Sequence, residues 1–328
     1  MSQQFLQVSN SSTRRKSIKN GVEILVRGTV QGVGFRPFVF KLASRFSISG
    51  TVTNTSEGVV IRAAGPQVSS FIDALSAEAP PLARIDALSH RSLENPLQEG
   101  SFTIIASQTT DSSQANIPPD ISLCEDCFEE LTNPADRRFG YPFINCTNCG
   151  PRFSIIETIP YDRPKTSMKL FDMCDNCSRE YLDPLDRRFH AQPNACPLCG
   201  PTISLHDAQG QQLECEHVID FAISAITQGM VLAIRGLGGF HLCVDGCSES
   251  AVDRLRQRKN RPDKPLAIMV KDLDQAGTLC DFSDREKATL SSPQHPIVLL
   301  RAKPHAPLAS NLAPKMSDIG LMLPYTPL

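Results

Sequence analysis

The chain has 328 residues, of which 41% are hydrophobic, and its formal net charge is −2 at pH 7. This length predicts two to four domains, and the near-neutral charge gives no global basic field for nucleic acid or for an anionic membrane. No apolar run approaches the roughly 20 residues of a membrane span, so we expect no membrane association. The first twenty residues are polar and lack the apolar segment of a secretion signal, which predicts a disordered tail at 1–20 and a cytoplasmic protein.

Residues 21–108 predict one small α/β domain. Apolar residues at helical spacing indicate one helix that begins at Phe35 and a second helix over 67–78. Alternation and β-branched residues indicate strands at 22–27, 51–53, 59–61, 82–92 and 101–107. The first six of these elements follow the order β-α-β-β-α-β of a ferredoxin-like sandwich, and the strand at 101–107 comes after them.

A glycine-rich segment lies between the first strand and the first helix. Residues 28–38 read Gly-Thr-Val-Gln-Gly-Val-Gly-Phe-Arg-Pro-Phe. Glycines let several backbone N–H groups face one concavity at a helix N-terminus, which favours anions. Arg36, at the start of the helix, can hold two phosphate oxygens with its planar fork. The alternative is a glycine turn that caps the helix, with Arg36 in a surface ion pair.

This segment resembles the signature of acylphosphatases, which combine such a loop with an asparagine in the next strand. Asn54 stands at the matching position. The resemblance implies two catalytic residues: Arg36 would hold the phosphate and Asn54 would orient the attacking water. Positioning and charge neutralisation can suffice, because an acyl phosphate already has a good leaving group. The phosphate-binding loop would consist of Gly28, Gln31, Gly32, Val33, Gly34 and Phe35.

Eight of the twelve cysteines form four Cys-x-x-Cys pairs, in two halves displaced by 50 residues. Each Cys-x-x-Cys turn aims two thiolates at one point, and two turns complete a closed tetrahedral zinc site. Because the repeat favours self-contained halves, we assign one structural zinc ion to each half; exchange of pairs between the halves and disulfide use are less favoured alternatives. The module at 120–155 would use Cys124, Cys127, Cys146 and Cys149, and the module at 170–205 would use Cys174, Cys177, Cys196 and Cys199.

The repeat extends beyond cysteine, since residues 133–139 match 183–189 and both contain Asp-Arg-Arg-Phe. These arginines could contact RNA, but we favour ion pairs that brace the modules, because the region also contains many acids. His190, where the first half has Gly140, is interpreted as a surface or cleft residue rather than a ligand. The scattered cysteines are interpreted as buried fillers: Cys215, Cys243, Cys247 and Cys280.

From residue 217 the pattern indicates a further α/β region. Its predicted elements are a helix ended by Gly229, a strand at 230–234, a helix at 249–258 and strands at 266–270 and 297–300. Basic residues beside a glycine turn suit a nucleoside triphosphate, and a solvated basic helix face is the alternative. The stretch 230–270 resembles a YrdC-like domain, which binds ATP. That resemblance implies a nucleotide-binding role for Lys259 and Arg261.

The complete layout is an α+β multidomain chain: acylphosphatase-like domain, linker at 109–119, two zinc modules and a YrdC-like domain at 215–328. It resembles the HypF family of NiFe-hydrogenase maturation carbamoyltransferases. The resemblance implies hydrolysis of carbamoyl phosphate, formation of carbamoyl-adenylate with ATP and Mg²⁺, and transfer to the C-terminal cysteine of the partner protein HypE. Two alternatives stay open: a stand-alone acylphosphatase with structural zinc modules, and a zinc-dependent RNA-binding or interaction module.

The end of the chain suggests a truncated third domain. No helix or strand is predicted to follow and cover the apolar residues Leu321, Met322 and Leu323. The distal half of the YrdC-like domain and the transfer domain of the family are not in this sequence. We therefore expect transfer to the partner protein to fail in this chain alone.

Overall fold

The chain forms two compact units, one up to Asn116 and the other from Ile117 to Leu328. The predicted tail at 1–20 and most of the predicted linker at 109–119 lie outside the described residues. The computed structural model describes residues 21–94, 100–108 and 116–328.

The first unit contains one five-stranded sheet and two helices. Its elements in chain order are β1 Gly21–Thr29, α1 Phe35–Arg45, β2 Ser49–Thr55, β3 Gly58–Ala64, α2 Val68–Ala77, β4 Arg84–Ser92 and β5 Phe102–Ile104. The strands lie in the order β4-β1-β3-β2-β5, and β5 runs parallel to β2 while the other pairs are antiparallel. The predicted ferredoxin-like sandwich is therefore confirmed, with β5 added at one edge.

A single hydrophobic core joins the helices to this sheet. Phe35 and Val39 contribute from α1, and Phe71 from α2. Alternation along β1 buries Ile24 and Val26 completely, as period-2 geometry requires. The core fixes the first turn of α1 against the sheet, and this turn is the end of the glycine loop.

Regular structure is short between residues 117 and 204. The helices α3 Glu125–Thr132 and α4 Asp175–Leu182 each begin directly after the first cysteine of a half. Their bounds differ by the same 50 positions as the cysteines. Two 3-10 turns, Arg163–Lys165 and Ser167–Leu170, lie between the halves. Elements this short cannot supply a large apolar core. The lack of such a core is typical of small modules that a metal ion stabilises.

The remaining residues form a four-stranded sheet, two hairpins and four helices. The elements in chain order are β6 Leu205–His206, β7 Gln212–Leu213, α5 Val218–Thr227, β8 Leu232–Gly236, β9 Gly239–Cys243, α6 Glu249–Lys259, β10 Ala267–Met269, α7 Leu273–Leu279, β11 Cys280–Asp281, α8 Asp284–Leu290, β12 Val298–Ala302 and β13 Asp318–Met322. The sheet order is β10-β13-β12-β11, and the hairpins are β6–β7 and β8–β9.

The elements predicted here lie within two residues of those observed, but the sequence patterns missed the strands β6, β7, β9, β11 and β13 and the helices α7 and α8. The signal for α8 was readable, because Ser283 and Glu286 form a capping box at its start. For α7, Asp272 caps the helix through the Gln275 N–H. Both helices are only seven residues long, and so short an apolar period is easily overlooked.

The expectation that the last apolar residues lie uncovered was wrong. Leu321 is fully buried and Leu323 is 8% exposed. The strand β13 lies inside the sheet, antiparallel to β12 and parallel to β10. Strand pairing on both edges brings these side chains into the core of this region.

Among the described residues, no helix combines the length and the apolar character needed to cross a lipid bilayer.

Candidate active site and metal centres

The glycine loop is shaped by backbone conformations that favour glycine. Gly32 and Gly34 have φ angles of 71° and 73°, in the left-handed region that costs other residues energy. Gly34 is the N-cap of α1 and supplies no side-chain cap. Gly28 has φ 128°, and a Cβ there would lie 2.1 Å from the Arg84 carbonyl oxygen. The loop therefore turns tightly enough to bring its backbone to the N-terminus of α1.

Gln31 holds the loop against the β2–β3 hairpin. Its Nε2 donates to the carbonyl oxygens of Thr55 and Gly58, at 2.7 and 3.0 Å. Val33 and Phe35 are each 1% exposed and anchor the loop in the core. The side chain of Gln31 therefore supports the loop, although the family resemblance grouped it with the phosphate-binding residues.

The predicted catalytic pair is brought together by the fold. Arg36 is the second residue of α1, and Asn54 lies on β2 opposite Val59 of β3. With the Asn54 amide turned so that its oxygen faces the guanidinium, that oxygen accepts from Nε and Nη2 of Arg36, each at 3.3 Å. Both side chains are buried, with exposed fractions of 7% for Arg36 and 1% for Asn54. The guanidinium thus sits at a helix N-terminus, where the helix dipole also favours an anion.

Sequence reasoning missed one contact of this pair. Arg36 Nη1 donates to Ser107 Oγ at 3.4 Å. Ser107 follows β5, and the backbone N–H of Gln108 donates to the Asn54 carbonyl at 2.9 Å. No sequence pattern pointed to Ser107, because the contact spans 71 positions of the chain.

Two four-cysteine clusters form as assigned from the repeat. Cys124, Cys127, Cys146 and Cys149 make one cluster, and Cys174, Cys177, Cys196 and Cys199 make the other; in each, the sulfurs lie within 4.8 Å of one another. Neighbouring sulfurs are separated by 3.6 to 3.8 Å. Zn–S bonds of about 2.3 Å in a tetrahedron place the sulfurs about 3.8 Å apart. The clusters therefore have the size that a zinc ion needs, with all four positions taken by thiolates.

Local hydrogen bonds shape the cysteine turns. The N–H of Asn148 donates to Cys146 Sγ at 3.3 Å. The buried guanidinium of Arg152 donates to the carbonyls of Cys149 and Cys146, at 3.1 and 3.0 Å. Such bonds orient metal ligands before the ion arrives.

The four repeated arginines lie in ion pairs rather than on an open basic surface. Arg138 and Arg188 are 1% and 3% exposed. Glu180 accepts from Arg138, and Glu130 accepts from Arg188. Burial by itself would raise the pKa of Glu180, but hydrogen bonds from Arg138 and Arg137 outweigh it and bring the pKa to about 2. Buried, paired guanidiniums do not suit RNA phosphates, which favours the bracing role over the RNA alternative.

His190 and Gly140 share an unusual backbone conformation at equivalent positions of the two halves. Their φ angles are 54° and 66°. The N–H of His190 donates to the Tyr181 carbonyl, and the N–H of Gly140 donates to the Leu131 carbonyl. The His190 ring packs against Tyr181 and Phe189, with centroids 4.9 and 4.7 Å apart. It belongs to neither cysteine cluster.

The scattered cysteines differ from one another. Cys280 is buried in the hydrophobic core of the C-terminal region, beside Leu279 and Leu300, and burial raises the pKa of its thiol to about 11. Cys215 and Cys243 are half-buried, and Cys247 is exposed. The interpretation as buried fillers therefore holds for Cys280 and is wrong for Cys247, which lies in the turn between β9 and α6.

The basic residues of the third region have structural contacts. Arg256 lies on α6 and is only 7% exposed, so it does not belong to a solvated helix face. Its Nη1 donates to the carbonyls of Arg261, Pro262 and Lys264, at 2.9 to 3.1 Å. Arg261 Nη2 donates to the Pro265 carbonyl at 2.7 Å. Arg256 and Arg261 thus hold the turn that follows α6.

Family models match most of the chain. The model described as acylphosphatase matches residues 22–104, and the HypF finger model matches 123–156 and 173–206. A model described as telomere recombination, of the Sua5, YciO and YrdC proteins, matches 224–328.

Known proteins resemble the chain over nearly its full length. A carbamoyltransferase HypF from a Synechocystis species is 48% identical over 310 residues, which are 94% of this chain and 40% of that protein. The chain belongs to the HypF family. A crystal structure of full-length HypF in the phosphate- and nucleotide-bound form matches with a TM-score of 0.88 and 44% identity, again over 94% of this chain and 40% of that one. The chain thus spans about 40% of the length of these HypF relatives.

The first unit also resembles shorter proteins. An acylphosphatase from Mannheimia succiniciproducens is 34% identical over 85 residues, which are 25% of this chain and 93% of that protein. The likeness of the HypF-family chain to a nearly complete acylphosphatase is confined to the unit that contains Arg36 and Asn54.

Proposed function

We propose that residues 21–108 hydrolyse acyl phosphates and that carbamoyl phosphate is the substrate. The observation that carries this proposal is the buried guanidinium of Arg36, in the first turn of α1 and 3.3 Å from the Asn54 amide oxygen. A guanidinium and a helix N-terminus together neutralise the charge of a phosphoryl group. The likeness to acylphosphatases and to HypF carbamoyltransferases supports the same substrate class.

In this mechanism the side chains position and stabilise rather than form covalent bonds. Arg36 and the loop N–H groups bind the phosphoryl oxygens, and Asn54 holds a water molecule in line with phosphorus. The water oxygen bonds to phosphorus while the bond from phosphorus to the acyl oxygen breaks. Carbamate and inorganic phosphate leave; one proton of the water stays on the phosphate and the other is released to solvent. Electrostatic positioning of this kind can suffice for an acyl phosphate, because this mixed anhydride already has a good leaving group.

We further propose that the chain serves the carbamoyl relay of its family. Lys259 and Arg261 would contribute to binding of ATP with Mg²⁺, for formation of carbamoyl-adenylate, and HypE would receive the carbamoyl group. The nucleotide in the solved relative supports this extension, as does the match of residues 224–328. Two zinc ions would stabilise the cysteine modules. Eight free clustered thiols suit a reducing compartment, so we assign the protein to the cytoplasm.

The decisive experiment compares two arginine variants on the same helix. Arg36→Ala should lower kcat/KM for carbamoyl phosphate by about 10²–10³-fold, because a charge-stabilising donor is lost. Arg45→Ala is the matched control: this exposed residue in the last turn of α1 pairs with Glu78 at 2.5 Å, and hydrolysis should be unchanged. Phosphate release and circular dichroism are measured on both variants.

Full activity in Arg36→Ala would remove the proposed site. Equal kcat/KM values for carbamoyl, acetyl and benzoyl phosphate would instead favour a stand-alone acylphosphatase with structural zinc modules. A clear preference for carbamoyl phosphate supports the carbamoyl relay.

A further inference from the structure

Each cysteine module places two of its arginines against the cysteine cluster of the other module, an arrangement that we call the arginine exchange. Arg187, from the second module, donates from Nη1 to Cys127 Sγ of the first cluster at 3.0 Å, and Arg188 Nη2 lies 3.9 Å from the same sulfur. The equivalent residues fifty positions earlier make the reciprocal contact. Arg137 and Arg138, from the first module, donate to Cys177 Sγ of the second cluster at 3.4 and 3.6 Å.

A glutamate fixes each exchanged pair beside the cysteine that it contacts. Glu180 binds Arg137 at 2.7 Å and Arg138 at 2.5 Å. It lies three residues after Cys177 on α4, so both side chains share one helix face. Glu130, three residues after Cys127 on α3, binds Arg187 and Arg188 in the same way.

The buried arginine of each pair also contacts a second segment of the opposite cluster. Arg188 Nε donates to the Asn145 carbonyl at 3.0 Å, and Arg138 Nε donates to the Ala195 carbonyl at 2.9 Å. These carbonyls directly precede Cys146 and Cys196. Each guanidinium therefore holds both halves of a cluster that belongs to the other repeat.

Charge explains why the exchange stabilises both modules. A Zn²⁺ ion with four thiolates carries two excess negative charges, and the buried guanidiniums need anionic partners to offset their desolvation. Each module supplies the cations that the other cluster attracts. If one cluster loses its metal and its module unfolds, the other module's arginines lose their acceptors, and the unfolded module withdraws its own arginines.

We propose that the two four-cysteine sites bind and release metal as one cooperative unit, coupled by the reciprocal contacts of Arg137 and Arg138 with one cluster and of Arg187 and Arg188 with the other. This goes beyond two independent structural sites, and it replaces the expectation of self-contained halves. The proposal rests on the zinc assignment of the clusters and is independent of acyl-phosphate hydrolysis.

Site-resolved zinc release tests the coupling. The full zinc-loaded chain is challenged with a chelator, samples are alkylated at intervals, and mass spectrometry reports which of the eight cysteines have reacted. In the wild type, both clusters should become reactive with one shared rate constant. In Arg188→Met, release from the cluster Cys124 to Cys149, which belongs to the other module, should accelerate about 10–100-fold. Release from the second cluster should follow it.

Two further variants make the outcome decisive. Arg179→Met changes an exposed arginine on α4 that bonds to Asn176, and it should release zinc like the wild type. Cys174→Ser removes a ligand of the second cluster, and release from the first cluster should then accelerate at least tenfold, even if Arg188→Met does not fold. Unchanged release from the first cluster in Cys174→Ser, or two unrelated rate constants in the wild type, would overturn the proposal.

Discussion

At the scale of single residues, the loop depends on positions that accept no side chain. Gly28 combines φ 128° with the backbone of Arg84 so close that a Cβ would lie 2.1 Å from its carbonyl oxygen. An added methyl group must therefore move the backbone of β4 or distort the loop before Arg36. The lack of a side chain at Gly28 therefore allows the loop to pack directly against the edge strand β4.

Gly28→Ala should destabilise the chain by roughly 1–3 kcal/mol, from backbone strain and from the clash. It should also lower acyl-phosphate hydrolysis, since the loop cannot keep its shape. Gly210→Ala is the control, because Gly210 has φ 83° but nothing within 4 Å of the added Cβ. Urea unfolding and phosphate release measure both variants, and equal losses of stability in the two would contradict the clash.

At the scale of elements, Glu23 ties three strands together. It lies on β1 opposite Arg62 of β3 and Arg91 of β4, and its carboxylate accepts from both, at 3.0 Å and 2.5 Å. The hydrogen bond from Arg91 is the largest influence and holds the pKa of Glu23 below its ordinary value of 4.5; burial opposes this shift, and Arg62 adds to it. The three side chains therefore form two cross-strand ion pairs that share the Glu23 carboxylate on one face of the sheet.

This lowered pKa predicts a small acid sensitivity. A carboxylate with a depressed folded-state pKa contributes stability above pH 4.5, and the contribution is lost as the pH falls through the folded-state pKa. Because both arginines are largely exposed, the effect should not exceed about 1 kcal/mol. Glu23→Gln should be slightly less stable than the wild type at pH 6, and the difference should shrink as the pH falls below 4.5, measured by urea unfolding. A constant difference across this range would exclude the ion pair as its cause.

At the scale of the whole molecule, stability comes from different sources in the first unit and in the cysteine modules. The first unit has a hydrophobic core of its own, which includes Ile24, Phe35 and Phe71. The cysteine modules have short helices and a small core that includes the ligand cysteines Cys127, Cys146 and Cys149. Metal should therefore be essential for folding of residues 120–205 and dispensable for the first unit.

Chelation under reducing conditions should remove two zinc ions per chain and leave hydrolysis of carbamoyl phosphate intact. Residues 120–205 should then become sensitive to protease, while residues 21–94 stay protected. Atomic absorption, phosphate release and peptide mapping give the three readouts, and a calcium-specific chelator is the control. If hydrolysis disappears together with the zinc, the first unit does not fold independently of the modules.

The sequence by itself determined the features that depend on local spacing. The Cys-x-x-Cys turns, the 50-residue repeat, the glycine loop and the main elements around Arg36 could be read from it, because turns and helices are set by residues a few positions apart. The boundaries of β10 and β12 were already within two residues.

Only the tertiary structure decided which distant groups meet. It placed Ser107 against Arg36, buried Leu321 through two strand pairings, and set Arg138 and Arg188 on the cluster of the opposite module. These contacts join residues 39 to 71 positions apart or follow from sheet order. Neither periodicity nor ligand spacing encodes them, because they are selected by the burial and charge balance of the complete fold.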